Sequence, residues 1–330
     1  MKMFSRAAAL AAAALLVAAA SSGAHAQGAK LRPDFAPPWQ GGANNDIEKA
    51  QRGLDFTEPD ADNLADFHGS PQDPKLTLFF GGNYYFATAE LVETYEKKHP
   101  EFKGKIYWET IPPGLLADQI KAGGTITVGN MTWTAKADVY FAGLKRIKQS
   151  LDEGIVEPPA VPYVTNTLTI MLPKGNPAKV TGLKDLARPD IKLVMPNPAY
   201  EGIGRQIKAA LAKAGGEDLV KAVYETKVAD GTTILTHIHH RQSPLYLMQG
   251  RAQAGVTWQS EAVFQEKAGH PIEHVDIPAD QNATAIYAGA IVKSAPHPEA
   301  AKMWLDFIKS PDSLAIFEKY GFKPYQGDAK

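Results

Sequence analysis

Apolar residues along the chain form short, nearly continuous runs that alternate with amphipathic stretches. The run at 75–80 is typical of a buried strand, and the stretch at 88–99 places Leu91, Val92 and Tyr95 on one face of a helix. Similar pairs of an apolar run and a helical stretch recur through the rest of the chain. This alternation predicts βαβ units and an α/β fold with a mixed, mostly parallel sheet flanked by helices.

The same periodicities give the remaining predicted elements. Further strands are expected at 103–110, 137–143, 165–177, 191–198, 233–241, 254–258 and 287–292. Further helices are expected at 115–122, 182–190, 204–214, 219–228, 244–250 and 298–310, with a short last helix that ends near Tyr320. A chain of this length usually divides its core between two domains.

The first 26 residues have the pattern of a secretory signal peptide. Lys2 and Arg6 precede an apolar run at 7–20, and Ala24 to Ala26 form an A-x-A cleavage signal. The run is too short to cross a bilayer, and the chain has no cysteine for a lipoprotein anchor. The sequence therefore predicts a removable signal and a periplasmic protein.

Residues 27–74 differ from the rest because they are rich in proline, aspartate, asparagine and glycine. Such a segment cannot form long helices or central strands. It is interpreted as an extended arm over the surface, with Trp39 and Phe56 as candidate anchors. A disordered tail is the alternative.

Composition and motifs exclude several functional classes. The net charge is −1, and removal of Lys2 and Arg6 makes the chain more acidic, whereas nucleic-acid binding needs a basic face. The absence of cysteine excludes a disulfide framework. No phosphate-binding loop, nucleophile elbow or catalytic cysteine is present, so the sequence predicts neither an enzyme nor a cofactor.

Glycine and proline follow two strands of the first α/β block. Gly82 allows close backbone approach, and Asn83 can either cap the next helix or donate to an anion. After the second strand, Pro112 fixes the turn, and the N–H groups of 114–116 can bind an anion at a helix N-terminus. An ordinary turn explains each segment equally well.

Cationic and aromatic residues follow strands of the second block. Gly202 and Arg205 open a helix where backbone donors and a guanidinium can converge on carboxylate or phosphate, although Arg205 fits a solvated position as well. Arg241 offers a further positive charge. Trp258 and Ser260 suit a small polar ligand, but Trp258 fits a core position equally.

The segment at 237–241 also contains a histidine cluster. In an extended segment His237 and His239 face one way and His240 the other, so two imidazoles can reach Zn²⁺ or Cu²⁺. Metal binding or delivery by these three residues is the alternative function. A histidine or arginine contribution to an anion site is the other interpretation.

The ordered set of segments at 137–143, 165–177, 197–211, 254–263 and 287–324 resembles periplasmic solute-binding proteins of the type 2 fold, the molybdate- and anion-binding proteins of ABC importers in particular. The resemblance covers about 75–330. It implies two α/β lobes joined by two crossover strands, with a ligand in the cleft between them. It also implies a monomer that serves the membrane subunits of an ABC importer, or a sensor.

On this resemblance, the first lobe comprises 75–166 and 285–330, the second 167–284, and the crossovers lie at 167–173 and 285–292. The predicted ligand-binding residues, from the motifs and the resemblance together, are Gly82, Asn83, Tyr84, Thr110, Pro112 and Gly114 in the first lobe and Tyr200, Glu201, Gly202, Arg205, His240, Arg241, Trp258 and Ser260 in the second. The chain departs from the molybdate pattern, since Gly-Gly-Asn and Pro-Pro-Gly replace small hydroxyl residues and Trp258 stands where tyrosine is typical. The expected ligand is therefore a small anion, either an oxyanion or an organic anion bearing carboxylate or phosphate.

Overall fold

The computed structural model describes residues 66–128, 131–199, 201–236 and 239–327. Its strands are β1 (Asp66–His68), β2 (Leu76–Gly81), β3 (Ile106–Ile111), β4 (Thr125–Val128), β5 (Met131–Thr134), β6 (Val139–Gly143), β7 (Val161–Pro173), β8 (Leu193–Met195), β9 (Thr233–Leu235), β10 (Ala254–Trp258), β11 (Ile272–Asp276), β12 (Thr284–Ile291) and β13 (Lys323–Pro324). Its α-helices are α1 (Tyr85–Lys98), α2 (Pro113–Lys121), α3 (Leu144–Asp152), α4 (Gly202–Lys221), α5 (Lys227–Ala229), α6 (Gln242–Met248), α7 (Gln259–Lys267), α8 (Pro298–Phe307) and α9 (Pro311–Lys319). The signal peptide and the arm up to residue 65 lie outside the described residues. Among the helices that are described, none combines the length and the apolarity that a membrane crossing requires.

The described strands form a mixed sheet in the order β1-β3-β2-β6-β12-β7-β10-β8-β9, and β11 and β13 also pair with β7. In one half, β2 runs parallel to β3 and β6; in the other, β8 runs parallel to β9 and β10. The long strands β7 and β12 are antiparallel to their neighbours. The predicted mixed α/β architecture is confirmed, and the antiparallel pairs between the two halves come from β7 and β12.

Strand β7 belongs to both halves of the sheet. Its beginning pairs with β12, where Thr167 lies opposite Thr284, and its end pairs with β10, where Leu168 lies opposite Trp258. The Asn282 side chain binds β7 at this point. It accepts from the Leu168 N–H at 3.0 Å and donates to the Leu168 carbonyl at 2.9 Å. The two halves therefore meet along two paired strands.

Separate groups of apolar side chains fill the two halves. One group packs α1, α8 and α9 against the first half of the sheet, with Phe80, Phe141, Trp304 and Phe317 at its centre. Another packs α4 against the second half and includes Ile170. Burial of apolar side chains supplies most of the stabilisation of such layers.

Several predicted elements differ from the observed ones. The strand expected at 233–241 ends at Leu235. The Thr236 N–H still donates to the Met195 carbonyl at 3.0 Å, but the Thr236 hydroxyl and the His240 N–H bind the Glu201 carboxylate. The helices expected at 204–214 and 219–228 are α4 and its continuation, interrupted at Gly216, whose φ of 71° no helix accommodates. The helix expected at 182–190 is only a 3₁₀ turn, Leu183–Ala187.

The C-terminal end of the arm forms a strand that the sequence did not predict. Strand β1 pairs antiparallel with β3 at the edge of the sheet. The Phe67 ring packs edge-on against Trp133, with centroids 4.3 Å apart, and His68 stacks on Trp108 at 4.6 Å. Aromatic packing of this kind holds a short edge strand whose backbone pairing alone is weak.

Candidate functional site

The turn from β2 into α1 brings residues 82–84 to the junction between the two halves of the sheet. The Asn83 side-chain N–H donates to the Tyr287 hydroxyl at 2.7 Å, and no side chain caps α1. Tyr84 is fully buried among apolar side chains, and its ring stacks on Phe322 with centroids 6.2 Å apart. Tyr84 is therefore a core residue, whereas Asn83 faces β12.

Tyr85, which the sequence did not single out, lies at the centre of the contacts between the two halves. The Arg241 guanidinium lies over its ring, 3.7 Å from the centroid. Its hydroxyl donates to Glu261 Oε1 at 3.2 Å. One aromatic side chain of α1 thus contacts both the segment before α6 and the first turn of α7.

The Glu201 carboxylate, immediately before α4, holds the segment that leads to Arg241. It accepts from the backbone N–H of Asn197 at 3.2 Å and of His240 at 2.5 Å, from the Thr236 hydroxyl, and from His240 Nδ1 at 3.3 Å. Four donors satisfy this buried carboxylate. Glu201 therefore positions its neighbours and has little capacity left for a ligand.

His239 and His240 lie against each other and against the first half of the sheet. Their ring centroids are 3.8 Å apart, and a side chain at Gly82 would begin 3.3 Å from the His239 ring. Gly82 therefore gives His239 the room to approach. Burial, and then the proximity of His240 and Arg241, lower the pKa of His239 well below 6.5, so this imidazole is neutral near neutral pH.

Arg241 is a buried cation at this junction. Its side chain is only 8 % exposed, yet it makes no ion pair with a carboxylate in the part of the chain that the structure describes. The Tyr85 ring stabilises the cation through its π-face. A buried cation that forms no ion pair with a described carboxylate can take an incoming anion as its partner.

Of the other predicted residues in the second half, Ser260 and Trp258 lie close to this junction. The Ser260 hydroxyl is buried and accepts from the Asn166 side chain at 2.7 Å. Trp258 packs in the second core, and its ring meets Tyr287 edge-on at 6.2 Å. Both therefore stand next to the strands that connect the halves.

The residues at the end of β3 and directly after it are engaged within the protein. The buried Thr110 hydroxyl donates to the Asp66 carboxylate at 2.6 Å, so β1 places a negative charge beside this predicted ligand residue. The N–H groups of Leu115 and Leu116 donate to the Pro112 carbonyl at 2.9 and 3.2 Å. Two of the three N–H groups that were expected to be free at 114–116 therefore donate within the protein. The Gly114 N–H takes no part in these two hydrogen bonds.

Gly202 and Arg205 lie at the exposed start of α4. The Arg205 guanidinium donates to the Pro198 carbonyl at 2.9 Å, which ties the helix to the preceding loop. The contacts described for Arg205 do not connect it with Arg241. Tyr200 and His237 lie outside the described residues.

The histidine cluster gathers a carboxylate that the sequence did not assign to it. Glu201, His239 and His240 each offer one atom, and these atoms lie within 4.8 Å of one another. The short separations arise from the hydrogen bonds between Glu201 and His240. A metal would have to displace these donors, since a ligating carboxylate needs its lone pairs.

Sequence reasoning did not include Tyr85, Glu261 or Asn166 among the ligand-binding residues, although all three stand within or beside segments that had been singled out. Tyr85 is the second tyrosine after Gly82, and Glu261 follows Ser260. The sequence signal for Tyr85 was its position at the start of a helix, because the first turn of that helix faces the carboxyl end of β2, where ligands bind in α/β sheets.

Substituting Gly204 by alanine should destabilise the loop that carries Glu201. A Cβ there would lie 2.7 Å from the Pro198 nitrogen and 2.8 Å from the Pro196 carbonyl oxygen, which are backbone atoms. Overpacking of this kind costs about 1–3 kcal/mol, more than alanine gains in helix propensity. We expect the free energy of unfolding in urea to fall by about 1–2 kcal/mol.

Gly202→Ala provides the matched control on the same helix. Its Cβ would meet only the Arg205 side chain at 3.7 Å, so this variant should be as stable as the wild type or more so. Equal stability of the two variants would contradict the role of Gly204.

Comparison with known protein families places these observations in context. The family model described as bacterial extracellular solute-binding protein matches residues 76–323. The match covers both halves of the sheet and all the elements around Arg241. The family expected from the order of the sequence segments is confirmed.

Individual relatives agree with this match. The chain is 26% identical over 249 residues to the putative ABC transporter substrate-binding lipoprotein YvgL of Bacillus subtilis, covering 75% of this chain and 85% of that protein. It is 24% identical to the molybdate-binding protein ModA of Mycobacterium tuberculosis, covering 72% and 82%. The sulfate-binding protein SubI of Mycobacterium tuberculosis has a similar structure, with a TM-score of 0.62, 20% identity and coverage of 76% and 87%.

Proposed function

Because the chain belongs to the family of bacterial extracellular solute-binding proteins, we propose that it captures a small anion and delivers it to the membrane subunits of an ABC importer. The single observation that supports an anion is the buried Arg241 guanidinium, which stacks on Tyr85 and lacks a carboxylate partner among the described residues. Relatives named for molybdate and sulfate binding agree with this choice. A sensor is the other candidate recipient. We propose a binding protein and no reaction.

The anion is held, in this proposal, between a first lobe at 75–166 and 285–330 and a second at 167–284. The separate apolar cores support this division, as does the Asn282 link to β7 where the chain passes between them. Opening and closure then consist of bending two paired strands, which separates α1 from Arg241 or brings the two into the contact described here. An anion that contacts both lobes stabilises the closed arrangement.

Within this cleft, Arg241 and Ser260 face Asn83 and the Gly82 backbone across the junction. Glu201 and Tyr85 orient the donors, and Arg205 supports the loop before α4 from outside. Export by the signal at 1–26 brings the mature protein to the periplasm as a monomer. This assignment requires no cofactor.

A thermal-shift screen of the mature protein tests the proposal. We expect at least one of phosphate, sulfate, molybdate and small organic acids, each at about 1 mM, to raise the melting temperature by several degrees, since binding to the native state adds about 2.7 kcal/mol at 100 times the Kd. Zn²⁺ and Cu²⁺ in the same screen test the histidine alternative. Stabilisation by these metals and by no anion would overturn the proposal.

A further inference from the structure

The His240 ring presents a buried nitrogen without a hydrogen-bond partner at the junction. Its Nδ1 lies 3.3 Å from Glu201 Oε2, and that carboxylate already accepts from backbone N–H groups, so it can only accept from the ring as well. The imidazole proton therefore sits on Nδ1, as in other carboxylate–histidine pairs. Nε2 is left as a lone-pair acceptor; it is buried and has no hydrogen-bond partner.

Glu261 presents a second buried acceptor without a hydrogen-bond partner. This residue is fully buried in the first turn of α7, and its Oε1 accepts from the Tyr85 hydroxyl and, at 3.0 Å, from the Gln265 side chain. Its Oε2 is buried without any partner. A buried carboxylate oxygen that lacks a donor is a costly group unless a ligand supplies one.

Both acceptors lie next to the unpaired cation. Arg241 follows His240 in the chain and stacks on Tyr85, whose hydroxyl binds Glu261. The other titratable group against His240 is the neutral His239, so Glu201 and Arg241 are the charged groups on either side of it. The junction thus combines one positive charge with two buried polar atoms, His240 Nε2 and Glu261 Oε2, that have no hydrogen-bond partner in the described structure.

Building on the proposed anion-binding function, we infer that the ligand carries a hydrogen-bond donor as well as its negative charge: a hydrogen oxyanion, or an organic acid with a hydroxyl group. The anionic part pairs with Arg241, and the O–H group donates to His240 Nε2 or Glu261 Oε2. A fully deprotonated dianion such as sulfate has no hydrogen to offer. Sulfate would leave both acceptors without a donor and would bring the lone pairs of its own oxygens close to them.

Matched ligand pairs test this inference by calorimetry on the mature protein. At about pH 8 phosphate and sulfate are tetrahedral dianions of similar size, and only phosphate keeps a proton. Malate and succinate form the organic pair, since they differ by one hydroxyl. We expect the donor-bearing member of one pair to bind at least roughly a hundredfold more tightly, because sites built to hydrogen-bond a hydroxyl reject analogues that lack it. The pair whose two members differ in affinity shows whether the ligand is inorganic or organic.

The variant Glu261→Gln adds a donor where the wild type has only an acceptor. It should tighten sulfate or succinate and reduce the ratio within the responding pair at least roughly tenfold. Glu266→Gln is the control: it removes the same charge from the same helix, where Glu266 contacts His274 at the surface, and should leave the ratio unchanged.

Two results would overturn the inference in distinguishable ways. Equal affinities within both pairs, with binding retained, would leave an anion site that does not read the ligand's donor. Failure of every anion in the screen to bind would remove the proposed function, and this inference with it.

Discussion

Replacing Arg241 by alanine should weaken anion binding at least roughly tenfold, because hydrogen bonds to charged groups contribute about 1.5–3 kcal/mol. The guanidinium is buried over Tyr85 and has no carboxylate partner among the described residues, so its charge is available to the ligand. Truncation removes this charge and the stacking together. Calorimetric titration of the wild type and the variant with phosphate, sulfate and the best ligand of the screen measures the loss.

Arg251→Ala is a matched control for this substitution. Arg251 also stacks on a tyrosine, with its guanidinium 4.1 Å from the Tyr246 centroid, but it lies at the exposed surface before β10. Its removal should leave the affinity within a factor of about two, as is usual for exposed side chains away from a site. An Arg241→Ala protein that folds normally and binds with wild-type affinity would exclude Arg241 from the site.

Replacing Glu109 by glutamine should remove a large part of the pH dependence of stability. Glu109 is fully buried in β3, and burial raises the pKa of its carboxyl from 4.5 to about 7, although hydrogen bonds from Tyr107 and other neighbours partly oppose this. The folded protein therefore holds a proton that the unfolded chain loses at lower pH. As pH rises from about 4.5 to 7, stability should fall by roughly 3 kcal/mol and then level off.

Glutamine has no proton to lose, so the variant should match the wild type near pH 5 and exceed its stability at pH 8 by up to about 3 kcal/mol. Urea unfolding across this range measures the difference. Glu299→Gln is the control, because its side chain is 81% exposed and its removal should preserve the wild-type profile. Parallel profiles for Glu109→Gln and the wild type would show that the Glu109 carboxyl stays ionised in the fold.

The sequence predicted the elements with strong periodicity well, because local patterns determine them. The run at 75–80 and the helix at 88–99 correspond to β2 and α1 with shifts of a few residues. The strand expected at 233–241 exists but is shorter, since it ends at Leu235 and the His240 N–H binds Glu201, 39 positions earlier. A hydrogen bond between distant positions leaves no mark on the local pattern.

Long-range contacts also determine which residues of the candidate site could be predicted from the sequence. Arg241 was expected to bind an anion from its residue type and its place after a strand. Tyr85 and Glu261 are 176 positions apart, and their contact depends on how the two halves of the sheet meet. Glu201 was expected to touch the ligand, but the structure shows that protein donors already surround its carboxylate.

The pairing of β7 with β12 also constrains the order in which the chain can fold. Asn83 and Tyr287, which join the first half of the sheet to β12, are 204 positions apart, and the first core contains both Phe80 and Phe317. A chain emerging from its N-terminus cannot close this core until nearly all of it is present, because long-range contacts form only after the intervening loop is closed. The first core thus stays open until the chain is nearly complete, whereas the second core, drawn from residues 168–283 alone, needs no later segment.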